Sequence, residues 1–464
     1  MTGGGRPRGI RSCPRGLTGA RRLAAFACLS LAVPLGGAVR AEAANAPQIS
    51  PDRLDDAPPG GDDRSVIADF AWRAFIALNW PSRLDERGEP DRARSLGDPG
   101  PRVWETFKSD YELFQSGGDG RAVAPTPWTS AEALNPCGAG ARNRTIASFS
   151  PFADFNQPSF TPGEPANPLV AQNGAYTRYE IHFNQAEYET IAAAGWAEGK
   201  NLPDAAHPAQ FPAGSIEVKA AWRPLNQADG PETRARYYVE TADIVDVEKT
   251  LAAGRTVCAT SEVALVGLHI VVKTKSRPQW VWSTFEHVDN VPPAGEGEAR
   301  EPDARDAGAP YSYFDGQKPR KLWPPYGSAS TVPVSFSRPP HLNPEPIQVV
   351  RRHPIDARIM DMNRAYWALP GIKGTVWERY MLVAAQWPTG AAPPAPDNDG
   401  AFFPGGPAAQ APESYRSTAA PQENLVNTTM ETYLQDQPSS CMACHQALSN
   451  SRGFDFVGVL AGKP

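Results

Sequence analysis

The stretch SEVALVGLHIVVKT, residues 261–274, is a nearly continuous apolar run in the middle of the chain. A short apolar run of this kind is consistent with a strand that is buried on both faces. Three further strand-like segments lie close to it along the chain, at 214–225, 236–245 and 279–288. Because only short breaks separate the four segments, they predict an antiparallel meander at the centre of the fold.

The segment GSIEVKAAWRPL, residues 214–225, alternates apolar and charged side chains. Successive residues of a strand point to opposite faces of a sheet. The apolar residues share one predicted face: Ile216, Val218, Ala220 and Trp222. The charged residues share the other: Glu217, Lys219 and Arg223. This alternation predicts one face packed on the core and one face exposed to solvent.

Helical segments are few in this chain. The apolar spacing of residues 65–80 predicts a helix, and 184–199, 355–369 and 424–435 are further helix candidates. The chain has 49 prolines and 40 glycines among its 464 residues, and proline both removes a backbone donor and clashes inside helices. Long Pro/Gly-rich loops are expected at 289–311 and 388–424. The expected fold class is therefore α+β and β-rich, an antiparallel sheet core with a few short helices.

The N-terminal residues have the pattern of an export signal. Several arginines precede an apolar stretch, and Ala41-Glu42-Ala43 fits a small-x-small cleavage site. The expected organisation is a signal peptide at 1–43, a flexible leader at 44–64 and one large domain at 65–464. The twin-arginine route is an alternative to the general secretory route, because Arg21 and Arg22 are adjacent.

Charge and hydropathy limit the possible partners. The predicted signal holds seven arginines and one glutamate, a charge of +6, and the whole chain carries −6, so the mature protein carries about −12. Nucleic-acid binding requires a basic surface, so nucleic acid is not expected as a partner. No later segment has the length and hydropathy of a transmembrane helix. These features predict a periplasmic protein with no transmembrane segment in the mature chain.

The six cysteines fall into three pairs. Cys13 and Cys28 lie in the predicted signal, while Cys441 and Cys444 belong to a motif described below. Cys137 and Cys258 remain, and in an oxidising compartment an isolated pair predicts one disulfide. Two buried free thiols are the alternative.

The stretch SSCMACHQALSN, residues 439–450, contains Cys-x-x-Cys-His, the attachment signature of a c-type haem. In such a motif the thiols of Cys441 and Cys444 would bond the vinyl groups of one covalent haem, and His445 would be the proximal ligand of its iron. A haem-binding turn and helix are therefore expected at the C-terminus. A redox pair like that of thioredoxin would need a βαβ unit around it, and a zinc site would need two more ligands at matching spacing. The sequence offers neither.

The distal iron ligand has to come from upstream of the motif, because no histidine or methionine follows His445. The candidates are His269, His287, His182 and Met430. For each of them an ordinary core role is the alternative, and an iron with an open distal side is a further one. The 19 residues after His445 cannot cover both faces of a porphyrin. We therefore expect the strand region 215–288 to form a β-rich cover over the haem.

Two stretches resemble the cytochrome P-460 and cytochrome c′-β group. They are CMACHQALSNSRGFDFVGVL, where Asp and Phe closely follow the haem motif, and FPAGSIEVKAAW, with a Pro-x-Gly strand leading to a lysine. This resemblance implies a β-rich haem protein, in which Lys219 is the position matching a lysine cross-linked to the haem. An ordinary surface lysine is the alternative for Lys219.

The chain also resembles a set of larger bacterial proteins described as cytochrome c family proteins. The matching stretches are FIALNWP, GLHIVVKT, QWVWSTFEHVDN, LVNTTMETYLQ and SCMACH. This resemblance spans most of the mature chain and implies covalent haem without a settled reaction.

Three functions follow as hypotheses. The first is single-electron transfer by an exported mono-haem c protein, with a redox protein or a small redox-active molecule as its partner. The second is a haem enzyme or gas-binding protein with an open distal side. The third is a structural or sensory module that the haem stabilises.

Overall fold

The computed structural model describes most of the domain and only parts of the chain's ends. The described residues are 47–52, 56, 64–116, 121–130, 135, 137–138, 144–146, 169–204, 207–277, 279–293, 308–317, 346–387, 426–432, 435, 441, 445, 453, 455 and 457–460. All of them belong to one unit, Pro47–Pro464. The predicted signal peptide, most of the predicted leader, and most of the predicted loops at 289–311 and 388–424 lie outside the described residues.

The described strands and helices are mostly short. The strands are β1 (Lys108–Ser109), β2 (Gln115–Ser116), β3 (Ala122–Val123), β4 (Arg144–Ile146), β5 (Arg178–Phe183), β6 (Ile216–Pro224), β7 (Val239–Val245), β8 (Cys258–Val272), β9 (Val281–His287) and β10 (Tyr380–Gln386). The α-helices are α1 (Arg64–Leu78), α2 (Asp110–Leu113), α3 (Gln185–Ala194), α4 (Pro231–Arg234), α5 (Val247–Ala253) and α6 (Ala357–Trp367). Short 3₁₀ turns occupy Trp104–Thr106, Trp196–Glu198, Val376–Arg379 and Gly458–Leu460. The β-rich α+β class is thus the observed one.

The central strand is β8, which contains most of the apolar run 261–274. It pairs antiparallel with β6 along one edge, from Ile216 opposite Val272 to Pro224 opposite Val263. Along its other edge, its first half pairs with β7 and its second half with β9. Ten consecutive residues from Val263 to Val272 are buried except His269, as expected for a strand covered on both faces.

Two features of the predicted sheet are wrong. The four central strands do not form a meander in chain order, because β8 lies between β6 and β7. The sheet of eight described strands is mixed rather than purely antiparallel, since β4 pairs parallel with β7. Only three residues of β4 are paired, in a region whose sequence has no strand period, so no local pattern indicates this strand.

One face of the sheet packs against α1 and α6. Trp72 of α1 stacks on Tyr366 of α6, with ring centroids 4.9 Å apart, and its indole N–H donates to Asn363 at 2.9 Å. Phe75 stacks on Phe285 of β9 at 4.3 Å. The predicted helices 65–80 and 355–369 are therefore present, and their aromatic residues form much of the main core.

The disulfide partners lie together. Cys137 and Cys258 are bonded, with Cα atoms 5.5 Å apart, a separation that is normal for a disulfide. The bond ties the loop before β4 to the first residue of β8. No helix within the described residues is long and apolar enough to cross a membrane.

Candidate haem-attachment site

The second face of the sheet carries the side chains relevant to the C-terminal motif. Lys219 of β6, His269 of β8 and Thr284 of β9 are directly opposite one another across the three strands. The neighbouring row on the same strands is Glu217, Val271 and Trp282. Because these rows are two residues apart along each strand, they lie on the same face.

This face is covered, which corrects the prediction that it is exposed to solvent. Glu217 is only 5% exposed, and Lys219 is partly buried. The covering layer comes in part from the C-terminal residues 426–432, which follow β10 by almost 40 residues in sequence. Alternation of apolar and charged residues in a strand indicates only that its two faces differ. It could not predict a polar layer formed by residues that are distant in sequence.

The segment 426–432 is attached through its own polar groups. Asn427 donates to the Thr284 hydroxyl at 2.8 Å and to the Phe285 carbonyl at 3.0 Å. Thr428 donates to Glu286 from its N–H at 2.6 Å and from its hydroxyl at 2.5 Å. The buried Glu286 carboxylate also accepts from Arg351 at 2.6 Å. Charge-assisted hydrogen bonds to Glu286 therefore join residues 426–432, the C-terminal segment, to β9.

The helix predicted at 424–435 is replaced by a turn in the residues that the structure describes. The N–H groups of Met430 and Glu431 both donate to the Asn427 carbonyl, at 3.2 and 2.8 Å. The side chains of Asn427 and Thr428 bond the sheet, and such local polar bonding competes with helix formation. The polar composition of the segment therefore outweighs its helical spacing.

Two residues of the Cys-x-x-Cys-His motif are described, and they lie against this sheet. The ring of His445 contacts the ring of Trp282, with centroids 4.2 Å apart. Cys441 is partly buried and packs against the main apolar cluster. Both residues have helical backbone conformation, and helical residues four apart lie on the same side. Cys444 and most of the predicted haem helix lie outside the described residues.

Trp282 is itself held firmly. Its side chain is 4% exposed, and its indole N–H donates to the Gln279 carbonyl at 3.1 Å. The sequence around Trp282 indicates only a strand, and its contact with His445 appears only in the structure. Trp282 lies two residues before Thr284, which is opposite His269. With the register of β8 and β9 known, this spacing places Trp282 on the same face as His269.

The described donors fit a covalently attached haem. The Cys441 thiol and the His445 imidazole are both partly buried, the thiol against the main apolar cluster and the imidazole beside the Trp282 ring, a pair of donors that the attachment chemistry uses. Among the described residues, no group of three His, Cys, Asp or Glu side chains is placed to hold a metal ion.

His182 and His287 are engaged elsewhere. The two ring nitrogens of His182 lie 2.9 Å from Glu180 and 3.2 Å from the Phe107 carbonyl. His287 contacts the Arg236 carbonyl at 3.0 Å and accepts from the Asp289 N–H at 3.1 Å. Strand alternation puts both on the face opposite Trp282. Neither is placed as a distal ligand.

His269 is the candidate ligand that shares a face with Trp282. Its Nε2 lies 3.4 Å from a carboxylate oxygen of Glu431, yet the angles give no hydrogen bond there, and this nitrogen has no other partner in the described part of the chain. Met430, by contrast, is fully buried in a second apolar cluster with Tyr179, Val266 and others. Lys219 lies opposite His269 in the sheet. Its role as a lysine close to the haem is still only a prediction.

The covered face also holds buried acidic groups, of which the sequence gives no indication for Glu187. Glu187 of α3, Glu217 and Asp455 are buried, and Lys273 donates to Asp455 at 2.5 Å. In the sequence, Asp455 contributes only to the resemblance to the cytochrome P-460 group.

No protein-family model, no curated protein and no solved structure matches this chain, so the assignment of a haem site depends on the motif and on its contacts with the sheet.

Proposed function

We propose that this protein is an exported mono-haem c-type cytochrome that transfers single electrons in the periplasm. The observation that carries the proposal is the position of the motif CMACH: His445 contacts Trp282 on the sheet and Cys441 packs against the main core. A motif that occurred by chance would have no reason to pack against the main apolar cluster and a buried tryptophan.

The residues of the chain divide the work as follows. Cys441 and Cys444 hold the haem covalently, and His445 binds its iron. Trp282 fixes the imidazole from the side, while the covered sheet face excludes water and keeps the local dielectric constant low. The bound haem supplies the one-electron chemistry. The partner is a redox protein or a small redox-active molecule, and the mature charge of about −12 favours a basic one.

Haem attachment can be tested by mass. Expression with a cytochrome c maturation system should add the mass of one haem to the denatured protein, and expression without that system should not. Cys441→Ala with Cys444→Ala should abolish the addition. His207→Gln, at an exposed side chain outside the motif, is the control and should retain the haem. A haem that acid–acetone extracts from the wild type would contradict the proposal.

A haem enzyme or gas-binding protein with an open distal side is the second candidate. The position of the His269 Nε2, 3.4 Å from a carboxylate oxygen of Glu431, favours it, because a ring that stays beside that carboxylate would leave the iron open. Carbon monoxide should then change the spectrum of the reduced protein readily. If His269 binds iron instead, the wild type should be low-spin and insensitive to carbon monoxide, and His269→Ala should become sensitive.

A further inference from the structure

Glu187 is a buried acid with no visible structural task. It occupies the third position of α3, after Asn184, whose side chain caps the helix by accepting from the Glu187 N–H at 3.3 Å. A glutamate at this position often bonds back to the N–H of the capping residue. Here that N–H donates to the Ile216 carbonyl at 3.0 Å instead. The Glu187 side chain is therefore released from capping although it is fully buried.

Buried carboxyl oxygens without hydrogen-bond donors occur at Glu187 and at two acids that interact with it electrostatically. Both oxygens of Glu187, one of Glu217 and one of Asp455 have no hydrogen-bond partner within the described residues. The charged groups that act on Glu187 are Glu217 on β6, Asp455 near the C-terminus and Lys273, the residue after β8. Glu217 is in turn faced by Lys219 and His269. Unpaired buried carboxyl oxygens are costly, so such a cluster requires a donor.

A proton is the donor that fits this cluster. Lys273 is already bonded to Asp455, which also accepts from the Phe211 N–H at 2.8 Å. Glu187 and Glu217 then remain as two neighbouring acids in a buried place, and two such acids do not both ionise readily. A proton on Glu187 supplies a donor without needing any additional volume.

The electrostatic balance at Glu187 agrees with this assignment. Burial raises the pKa of Glu187 well above its usual range, and the negative charges of Glu217 and Asp455 raise it further, while Lys273 lowers it. Burial likewise raises the pKa of Glu217, against the opposing charges of Lys219 and His269.

The cluster is connected to the haem motif through β9. The Asp455 carbonyl accepts from the Trp280 indole at 2.9 Å, and Trp282, two residues on, contacts His445. Glu217 lies in the same row of the sheet as Trp282. Glu217 and Trp282 are separated by one strand of the sheet, so a change of charge at the motif acts on this cluster across a buried layer, in which charges interact strongly.

We propose that Glu187, with Glu217 and Asp455 around it, is a buried proton-binding site linked to the redox state of the haem. This inference rests on the proposed haem function. Glu187 holds a proton at neutral pH and releases it to solvent more readily while the iron is ferric. At an alkaline pH where Glu187 is ionised in the ferric protein, delivery of one electron to the haem by the redox partner would raise the proton affinity of the Glu187 carboxylate, which would then take one proton from solvent.

The proton itself can be observed without haem chemistry. Infrared spectra of the full chain at pH 7 should show the carbonyl stretch of a buried protonated carboxylic acid, which should disappear at alkaline pH. Glu187→Gln keeps the shape of the side chain and should remove this band. Glu189→Gln changes an exposed acid of the same helix and should retain it. Absence of the band from the wild type at neutral pH would overturn the proposal.

The link to the haem is tested by spectroelectrochemical titration over pH. The midpoint potential of the wild type and of Glu189→Gln should fall as Glu187 ionises, with a limiting slope of about 59 mV per pH unit for one proton per electron. The Glu187→Gln variant should lose this dependence. A wild-type potential that does not change with pH would overturn the link. If no haem attaches at all, the proposed function fails, and the infrared result still decides whether Glu187 holds a proton.

Discussion

His287 is a histidine of a buried strand whose ring packs and forms hydrogen bonds within the core. Its ring stacks on Tyr237 with centroids 3.8 Å apart, and its nitrogens are used by the Arg236 carbonyl and the Asp289 N–H. Since Nδ1 accepts a hydrogen bond, the neutral ring carries its proton on Nε2. Burial lowers the pKa of His287 to about 4, against the opposing charge of Asp289.

This pKa predicts a loss of stability in mild acid. Between pH 6.5 and 4 the unfolded chain binds a proton at His287 that the folded chain does not, so the free energy of unfolding falls as pH falls. A His287 pKa lowered from 6.5 to about 4 corresponds to a loss of roughly 3 kcal/mol in the free energy of unfolding across this pH range. The His287→Gln variant should show a shallower dependence in denaturant titrations across this range. His207→Gln, at an exposed side chain, is the control and should follow the wild type. Identical slopes for His287→Gln and the wild type would contradict the assignment.

At the scale of elements, the approach of the C-terminal segment to β8 depends on Gly267. A Cβ at this position would overlap the hydroxyl of Thr429 and lie 3.3 Å from the Asn427 side chain. Thr429 in turn donates to Asn427 at 2.7 Å, and Tyr179 donates to the Thr429 carbonyl at 2.7 Å. The segment therefore reaches the sheet because this strand has no side chain at one position.

Gly267→Ala should loosen the segment that leads to the haem motif. Overpacking of a buried contact costs typically about 1–3 kcal/mol, and here the strain should be relieved by displacement of residues 426–432. Denaturant unfolding should show the loss of stability, and limited proteolysis should cleave this segment faster. Gly230→Ala introduces a methyl group with nothing within 4 Å and should leave both measurements unchanged. A Gly267→Ala protein as stable and as resistant as the wild type would show that the contact does not hold the segment.

The elements that sequence periodicity predicts are those whose burial is local. The helices α1, α3 and α6 and the strands β6, β8 and β9 each have an apolar pattern that one short segment reveals. The partners of β8 and the parallel pairing of β4 depend on contacts between distant segments, and no local pattern encodes those. The motif Cys441–His445 could be identified in the same local way. The contact of His445 with Trp282 and the acidic cluster of Glu187 could not, because parts of the chain that are distant in sequence form each of them.

At the scale of the whole molecule, the disulfide joins the loop-rich N-terminal half to the central strand. Cys137 lies shortly before β4, which adds to the sheet through only three residue pairs with β7. Cys258 is the first residue of β8, where it pairs with Val245 of β7. The bond therefore helps to hold β4 at the edge of the sheet, since the strand pairing of β4 alone is short.

Loss of this bond should destabilise the protein strongly. The loop spans 121 residues, and the chain-entropy model gives about 4–5 kcal/mol for closing a loop of that length. A thiol reductant should lower the free energy of unfolding of the wild type by this order and should have no effect on the double variant Cys137→Ser and Cys258→Ser. Thioether bonds to a haem resist thiol reductants, so the difference isolates the Cys137–Cys258 bond even in the haem-loaded protein. Equal stability with and without reductant would show that the bond constrains neither the folded nor the unfolded chain.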